Sequence, residues 1–318
     1  MGKTKTKVEE RVETTKEVNV EEKPEIPETV EATPEEAQEF IEEYVETPTS
    51  YKTLIEGEEV ARIYHHALYT ALIPAYIIDA EPTITMKDGE VTVSALDPSM
   101  IMAVAVTGSV SGYGDAQFSI MSDVLDRAVR FRAHEIVVRD DGKVTIEGEI
   151  RIGNENSKPI TIATKYVSEP DQRAIQIAET AKKFVENAQH SFEIPAKEFV
   201  KVAKELSGNG ISTAVYFVAT AGKFAIYEEG TLGVLVAELT ETVEDTGVIG
   251  KYNSDYIKTI GEIVQKIGAD KVTLMFGEKD QPMVAVAEKG NIEIRILLAP
   301  MIDEYNEEDI VEIVRALA

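Results

Sequence analysis

One local order recurs four times along the chain, and few folds satisfy it: a helical stretch of roughly 10 to 16 residues, then strand-like runs separated by tight turns. The first copy predicts a helix from Gly57 to Leu72, then IIDAEPTITM, an Asp88-Gly89 turn and EVTVSALDPSMIMAVAV. The second opens at Ser122-Asp123 and runs to about His134, followed by EIVVR, the Asp141-Gly142 turn, KVTIEGEIRI and PITIATKYV. The third opens at Pro195, ends near Ser207-Gly208, and continues through STAVYFVA, KFAIYEE, a Gly230 turn and GVLVAELTE. The fourth opens at Ser254-Asp255, ends near Gly268, and continues through KVTLMFG, PMVAVAEKG and NIEIRILLAP. Ser122 and Ser254 read as N-caps, Gly208 and Gly268 as helix stops, and the Asp-Gly pairs as hairpin turns.

Each copy offers a strip of sheet and one helix to cover it, which predicts an α+β architecture of helices packed on antiparallel sheet. The copies pair into two similar halves, residues 51–167 and 191–302, joined by a linker at 168–190. Inside the linker, DQRAIQIAETAKKFVENAQ has helical spacing, so it need not be an extended strap.

Two segments flank the repeat. Residues 1–50 hold fifteen glutamates against six lysines and arginines, four prolines, and only Phe40 and Tyr44 as aromatics. Such a stretch buries too little apolar surface to offset its chain entropy, and most of it is expected to be a disordered acidic tail. Thr33 to Val45 is the exception. Thr33, Pro34 and Glu36 make a helix start, and Ala37, Phe40, Ile41 and Tyr44 then share one face. At the other end, residues 303–318 form an extension in which Ile310, Ile313, Val314 and Leu317 fall at helical spacing.

Charge narrows the function. With 32 Lys and Arg against 58 Asp and Glu, the net charge is −26, which opposes nucleic-acid binding unless the cations gather on one surface. There are no cysteines, which removes disulfides, thiol catalysis and thiolate metal sites. No run approaches the roughly 18 apolar residues of a membrane span, and the N-terminus lacks the apolar core of a secretory signal. A cytoplasmic protein that binds no membrane is the expectation. His65, His66, His134 and His190 fit no ligand spacing, and there is no phosphate-binding GxxxxGK[ST] loop. No enzyme, metal or cofactor is expected, although scattered carboxylates of a hydrolase or nuclease are the catalytic alternative.

Three strings resemble the proliferating cell nuclear antigen family of archaeal and eukaryotic sliding clamps: Ala95-Leu96-Asp97-Pro98-Ser99, Ile194-Pro195-Ala196-Lys197-Glu198-Phe199, and Leu297-Leu298-Ala299-Pro300-Met301-Ile302. Their order and spacing match the family from about Tyr51 to Ile302. The resemblance implies a processivity factor. Three two-domain subunits would close into a ring by edge-strand pairing, with helices lining a hole through which duplex DNA passes, read by its phosphates and not by its bases. It implies DNA polymerase, a clamp loader and other replication and repair proteins as partners, in the cytoplasm with the nucleoid. The rival reading keeps the fold as one subunit of a heteromeric clamp, or as an adaptor that does not encircle DNA.

The resemblance also assigns residues. Lys197, Lys201 and Lys204 make one stripe on the third helix, and Lys201 and Lys204 coincide with positions the family turns toward DNA. Arg127 and Arg130 on the second helix, with Arg132 beyond them, and Lys258 and Lys266 on the fourth are the other DNA-facing candidates. The first helix has only Arg62, His65 and His66, and Asp123 and Asp126 stand on the second where bases are usual in the family. A hydrophobic groove that receives a short client peptide maps to Leu96, Met100, Ile101, Pro282, Leu297, Ala299, Pro300 and Met301, with Ile175 and Ile177 as looser linker candidates. Each of these could equally be core. In the tail, Gln38 to Val45 reads QEFIEEYV, which resembles the client peptide itself, Gln-x-x-aliphatic-x-x-aromatic-aromatic.

Overall fold

The structure is a computed structural model that describes residues 57–87, 89–150, 158–164, 167–206, 214–230, 233–279 and 281–318. The acidic tail with its Thr33 to Val45 helix, and the Ser207-Gly208 helix stop, lie outside the described residues.

Each copy of the repeat is longer by one strand than its sequence suggests. In the first, β1 (Glu59–Tyr64) leads into helix α1 (Leu68–Ile77), then β2 (Thr83–Lys87), β3 (Glu90–Leu96) and β4 (Met102–Ser109). A short β5 (Ser111–Tyr113) follows. The second copy is β6 (Ala116–Ile120), α2 (Ser122–Arg130), β7 (Glu135–Arg139), β8 (Val144–Ile150) and β9 (Lys158–Thr164). After β10 (Val167–Ser168), α3 (Gln172–Asn187) fills the linker with a helix, as its spacing predicted. The third copy is β11 (His190–Pro195), α4 (Ala196–Glu205), β12 (Ala214–Thr220), β13 (Lys223–Gly230) and β14 (Gly233–Glu241). The fourth is β15 (Gly247–Asn253), α5 (Ser254–Ile267), β16 (Lys271–Phe276), β17 (Met283–Lys289) and β18 (Ile292–Leu298), with α6 (Glu307–Leu317) beyond it.

The predicted helix from Gly57 to Leu72 is therefore corrected. Residues 59–64 read EVARIY, in which Ala61 and Ile63 are buried while Val60 and Tyr64 are exposed, a period of two that belongs to a strand. The helix begins at Leu68 and is apolar on nearly every side, with Leu68, Ala71, Leu72, Ile73 and Ala75 all buried. Two caps are also corrected. α2 is preceded by Met121, with no side-chain cap, and α5 is capped by Asn253, whose side chain accepts from the Asp255 N–H at 2.8 Å. Gly268 ends α5 in the left-handed conformation at φ 70°, as expected of a glycine stop.

The leading strands are exchanged within each half. β6 completes the sheet of β2, β3 and β4, while β1 completes that of β7, β8 and β9. The second half repeats the exchange, with β11 beside β16 and β15 beside β12. Among the described residues three antiparallel sheets result: β5-β1-β7-β8-β9, β14-β13-β12-β15, and a nine-stranded β10-β6-β2-β3-β4-β18-β17-β16-β11. The two halves fuse at β4–β18, a seven-pair ladder from Met102↔Leu298 to Gly108↔Ile292. The main core runs continuously through both halves, from Ile84, Val93 and Val104 to Leu274, Ile296 and the stacked Phe192 and Phe224.

Candidate nucleic-acid interface and docking site

Four helices pack side by side in the order α2, α1, α5, α4. The α4–α5 contact is close because Gly261 faces Ala203, where a Cβ on residue 261 would lie 2.7 Å from the alanine Cβ. Between the two helices runs a groove of about 370 Å³ lined by Ala203, Lys204, Lys258, Glu262, Gln265 and Lys266. Lys197, Lys201, Lys204 and Lys266 are exposed and Lys258 is half-buried. Among the described residues, no carboxylate pairs with these five lysines or with the exposed Arg127. Arg130 is different, since Asp126 holds its Nε at 2.8 Å one turn away.

The row is nearly neutral in a strongly acidic chain. Its four helices carry seven Lys and Arg against six Asp and Glu, whereas the whole chain has 32 against 58. The cations are unevenly spread. α1 has no charged residue, and α2 sets Asp123 and Asp126 against Arg127 and Arg130. Arg62, His65 and His66 do not belong to the row. Arg62 lies on β1 in ion pairs with Glu59 and Glu135, and His65 bonds Asn291 across the two halves at 2.9 Å. Arg132 follows α2 at φ 49°, with its guanidinium 5.9 Å from the Tyr69 ring centre.

The other face of the central sheet carries α3, which packs on β3, β4, β18 and β17. Ala174 and Ala181, seven residues apart on one stripe, are its buried positions, and small outward residues of the sheet, Ser94, Ala103 and Ala105, are buried as well. Small side chains on both sides let the helix lie close. Ile175, Ile177 and Phe184 remain half-buried along its flanks. Asp171 caps α3 through the Arg173 N–H, and the Arg173 guanidinium beside it holds the Asp171 carboxyl below the usual carboxylate range.

At one end of this face, the structure gathers the residues that the resemblance assigned to a groove. Leu96 and Leu297 both stand opposite Ala103, one strand to either side of β4. The Ala299 N–H extends the same ladder by donating to the Ile101 carbonyl at 2.9 Å, and Pro282 lies just before β17, one position beyond the Met283↔Leu298 pair. Leu96, Pro282, Leu297, Ala299, Pro300 and Met301 are half-buried, and Met100 and Ile101 are 62% and 38% exposed. The loop that displays them is folded by a residue missed in sequence, the buried Asp97. Its Oδ1 accepts from the Ile101 and Met102 N–H groups at 2.8 and 2.6 Å, and its Oδ2 from the Ser99 N–H at 3.1 Å. Met100 takes φ 60° as a result. Tyr256 on α5 completes the arrangement, with its hydroxyl 3.2 Å from Asp97 Oδ2 and also bonded to Ser99. Burial and the Asp97 carboxylate raise this phenol above its ordinary value, although the Ser99 bond opposes them. In sequence Asp97 stands only within the Ala95 to Ser99 string, and its partner 159 residues away is not visible there.

Solved structures share this architecture. Proliferating cellular nuclear antigen from Entamoeba histolytica superposes with a TM-score of 0.60 at 14% identity, over 77% of this chain and 100% of that one. The fold is that of the sliding clamps. A. fulgidus PCNA, solved with the C-terminal region of FEN-1 bound, superposes with a TM-score of 0.53 at 16% identity, again over 77% of this chain and 100% of that one. No sequence-family model and no curated protein matches the chain. Within the clamp fold, the six helices among the described residues divide into the row of four, the sheet-covering α3 and the terminal α6.

Proposed function

We propose that the chain is a non-enzymatic sliding-clamp subunit, which closes with further copies into a ring around duplex DNA and tethers DNA polymerase and other replication and repair proteins there. The observation that carries this reading is one pair of sheet edges that stand at equivalent places in the repeat. The last strands of copies one and four, β4 and β18, pair with each other inside the chain. Those of copies two and three, β9 and β14, end their sheets, and no strand lies beyond either among the described residues. Pairing β9 of one protomer with β14 of the next would repeat the internal junction and remove the exposed edges. Three protomers is the number that the family resemblance implies.

In such a ring the α2-α1-α5-α4 row lines the hole, with Lys197, Lys201, Lys204, Lys258, Lys266, Arg127 and Arg130 facing phosphates. A clamp loader would open the ring. Client peptides would dock at Leu96, Met100, Ile101, Pro282, Leu297, Ala299, Pro300 and Met301; the A. fulgidus PCNA solved with the C-terminal region of FEN-1 bound is a precedent for the type of partner, not for the site.

One observation favours a second reading, a subunit of a heteromeric ring or an adaptor that does not encircle DNA. The first half brings an uncharged α1 and a charge-balanced α2 to the row. The deciding experiment is the mass of the purified chain by light scattering, followed by stimulation of a polymerase on primed circular DNA. A trimer that stimulates supports the homomeric clamp, and a monomer that does not supports the second reading.

A further inference from the structure

Two segments wall the outer-face site, the 97–101 loop and a strap that runs from Ala299 to Asn306. Both are tied to one corner of the second half, where β15 turns into α5. Tyr256 on the first turn of α5 bonds the loop through Asp97. Lys251, five residues earlier on β15, bonds the strap twice. Its carbonyl accepts from the Met301 N–H at 2.8 Å, and its Nζ donates to Asp303 at 2.8 Å.

The Lys251 side chain is only 6% exposed. Burying an ammonium is costly unless it is paired and hydrogen-bonded. Here the strap itself supplies much of the pairing. Besides Asp303, Tyr305 places its ring centre 5.8 Å from Nζ, and Tyr216 on the neighbouring strand does so at 5.7 Å. The two rings meet edge to face with centres 5.2 Å apart. Without the strap the ammonium would lose its carboxylate and one ring, and without the Lys251 side chain the strap would lose its Asp303 tie and keep only the main-chain bond from Met301 to β15.

Helix α6 keeps the strap in place. It lays Ile310 and Val314 on Val218, Ala225, Tyr227 and Val248, a small core separate from the main one. Its first turn is fixed by Glu307, which pairs with Lys279 at 2.5 Å and accepts from the Val248 N–H at 3.2 Å. Its last turn is fixed by Arg315, which donates to Thr220 at 2.8 Å.

We infer that Lys251 is the positioning residue of the docking site: it holds Ala299 to Met301 against the loop that displays Met100 and Ile101, with α6 as the anchor of the strap. The inference rests on the client-docking reading above. Two readouts on the full chain test it: binding of a fluorescent peptide of pattern Gln-x-x-Ile-x-x-Phe-Phe, and hydrogen exchange of the 299–306 strap. Lys251→Met keeps the stem and removes the charge. It strands no buried carboxylate, because the Asp303 side chain is 62% exposed. Peptide affinity is expected to fall about tenfold, the scale of one lost charge-assisted hydrogen bond, with faster strap exchange. Lys251→Arg, which keeps a cationic donor, is expected to recover most of both. Wild-type peptide affinity or wild-type strap exchange in Lys251→Met overturns the role of Lys251 while leaving the docking site standing. A wild-type chain that binds no such peptide removes the docking site, and the positioning role with it.

Discussion

Replacing Leu235 by glutamate would test the ring at a residue pair that the chain's own repeat identifies. Copy one places Ile84, Val93 and Val106 in one cross-strand row, and copy two places Ile136, Ile146 and Ile162 in the matching row. Copy four aligns Leu274, Ala285 and Ile296, and copy three aligns Phe217, Ile226 and Ala237. Inside the chain, Val106 faces Ile294 and Val104 faces Ile296. The same register between protomers sets Ile162 opposite Leu235 and Ile160 opposite Ala237, all half-buried apolar residues within one chain. Completing the burial of Leu235 is worth about 1 kcal/mol, and a desolvated carboxylate in its place raises the loss to roughly 2 kcal/mol per interface. Three interfaces then lose roughly 6 kcal/mol, or about 10⁴-fold in the trimerisation constant. Light scattering at micromolar concentration should report monomers for Leu235→Glu. Because the chain has no cysteine, the register can be read directly. Ile162→Cys with Leu235→Cys should form inter-protomer disulfides under oxidation, and Thr161→Cys with Leu235→Cys, on opposite faces, should not. A Leu235→Glu protein that remains a trimer would refute the pairing. A wild-type trimer in which only the Thr161 pair cross-links would keep the ring and refute the register.

Four further outcomes follow from the same geometry. Charge reversal of Lys197, Lys201 and Lys204 together should weaken clamp–DNA association and flatten its salt dependence by about 0.9 per lost phosphate contact, measured by titration at several salt concentrations. Asp97→Ala removes the acceptor of three backbone N–H groups and should cost about 2 to 4 kcal/mol in urea unfolding, with the Met100 loop exchanging fastest. Gly261→Ala forces α4 and α5 apart at Ala203 and should cost about 1 to 3 kcal/mol, with Ala203→Gly restoring most of it. Lys251 is pulled down by burial, yet its bond to Asp303 and the nearby Tyr216 carry its pKa above the ordinary lysine value. A raised folded pKa stabilises fully below the unfolded value of about 10.4 and loses that contribution as pH rises through the folded value. Strap protection in hydrogen exchange, corrected for the intrinsic rate, should therefore hold at neutral pH and fall only in that alkaline window.

How much of this was readable in the sequence depended on how local the cause was. Helices α2, α4 and α5 announce themselves because each alternates a buried face with a charged one over three turns or so, and α3 does the same between the halves. The leading strands were hidden for the opposite reason. GVIGKYN and HSFEIP are six or seven residues long and adjoin a helix directly, so a window wide enough to sense helical period averages them away. β1 was lost to a helix because Gly57-Glu58-Glu59 imitates a helix start, while the alternation of Ala61 and Ile63 is only two residues deep. The stripe of lysines on α4 was legible because i, i+4 and i+7 share a face whatever the fold. The docking face was legible only as a list, because Asp97 with Tyr256, and Lys251 with Asp303, are joined by tertiary structure alone. That difference has a consequence for where the chain can change. Stripes on single helices tolerate substitution residue by residue, whereas the docking face depends on two long-range ties at one β15–α5 corner. A single change there should alter the site more than any substitution among the apolar residues that line it.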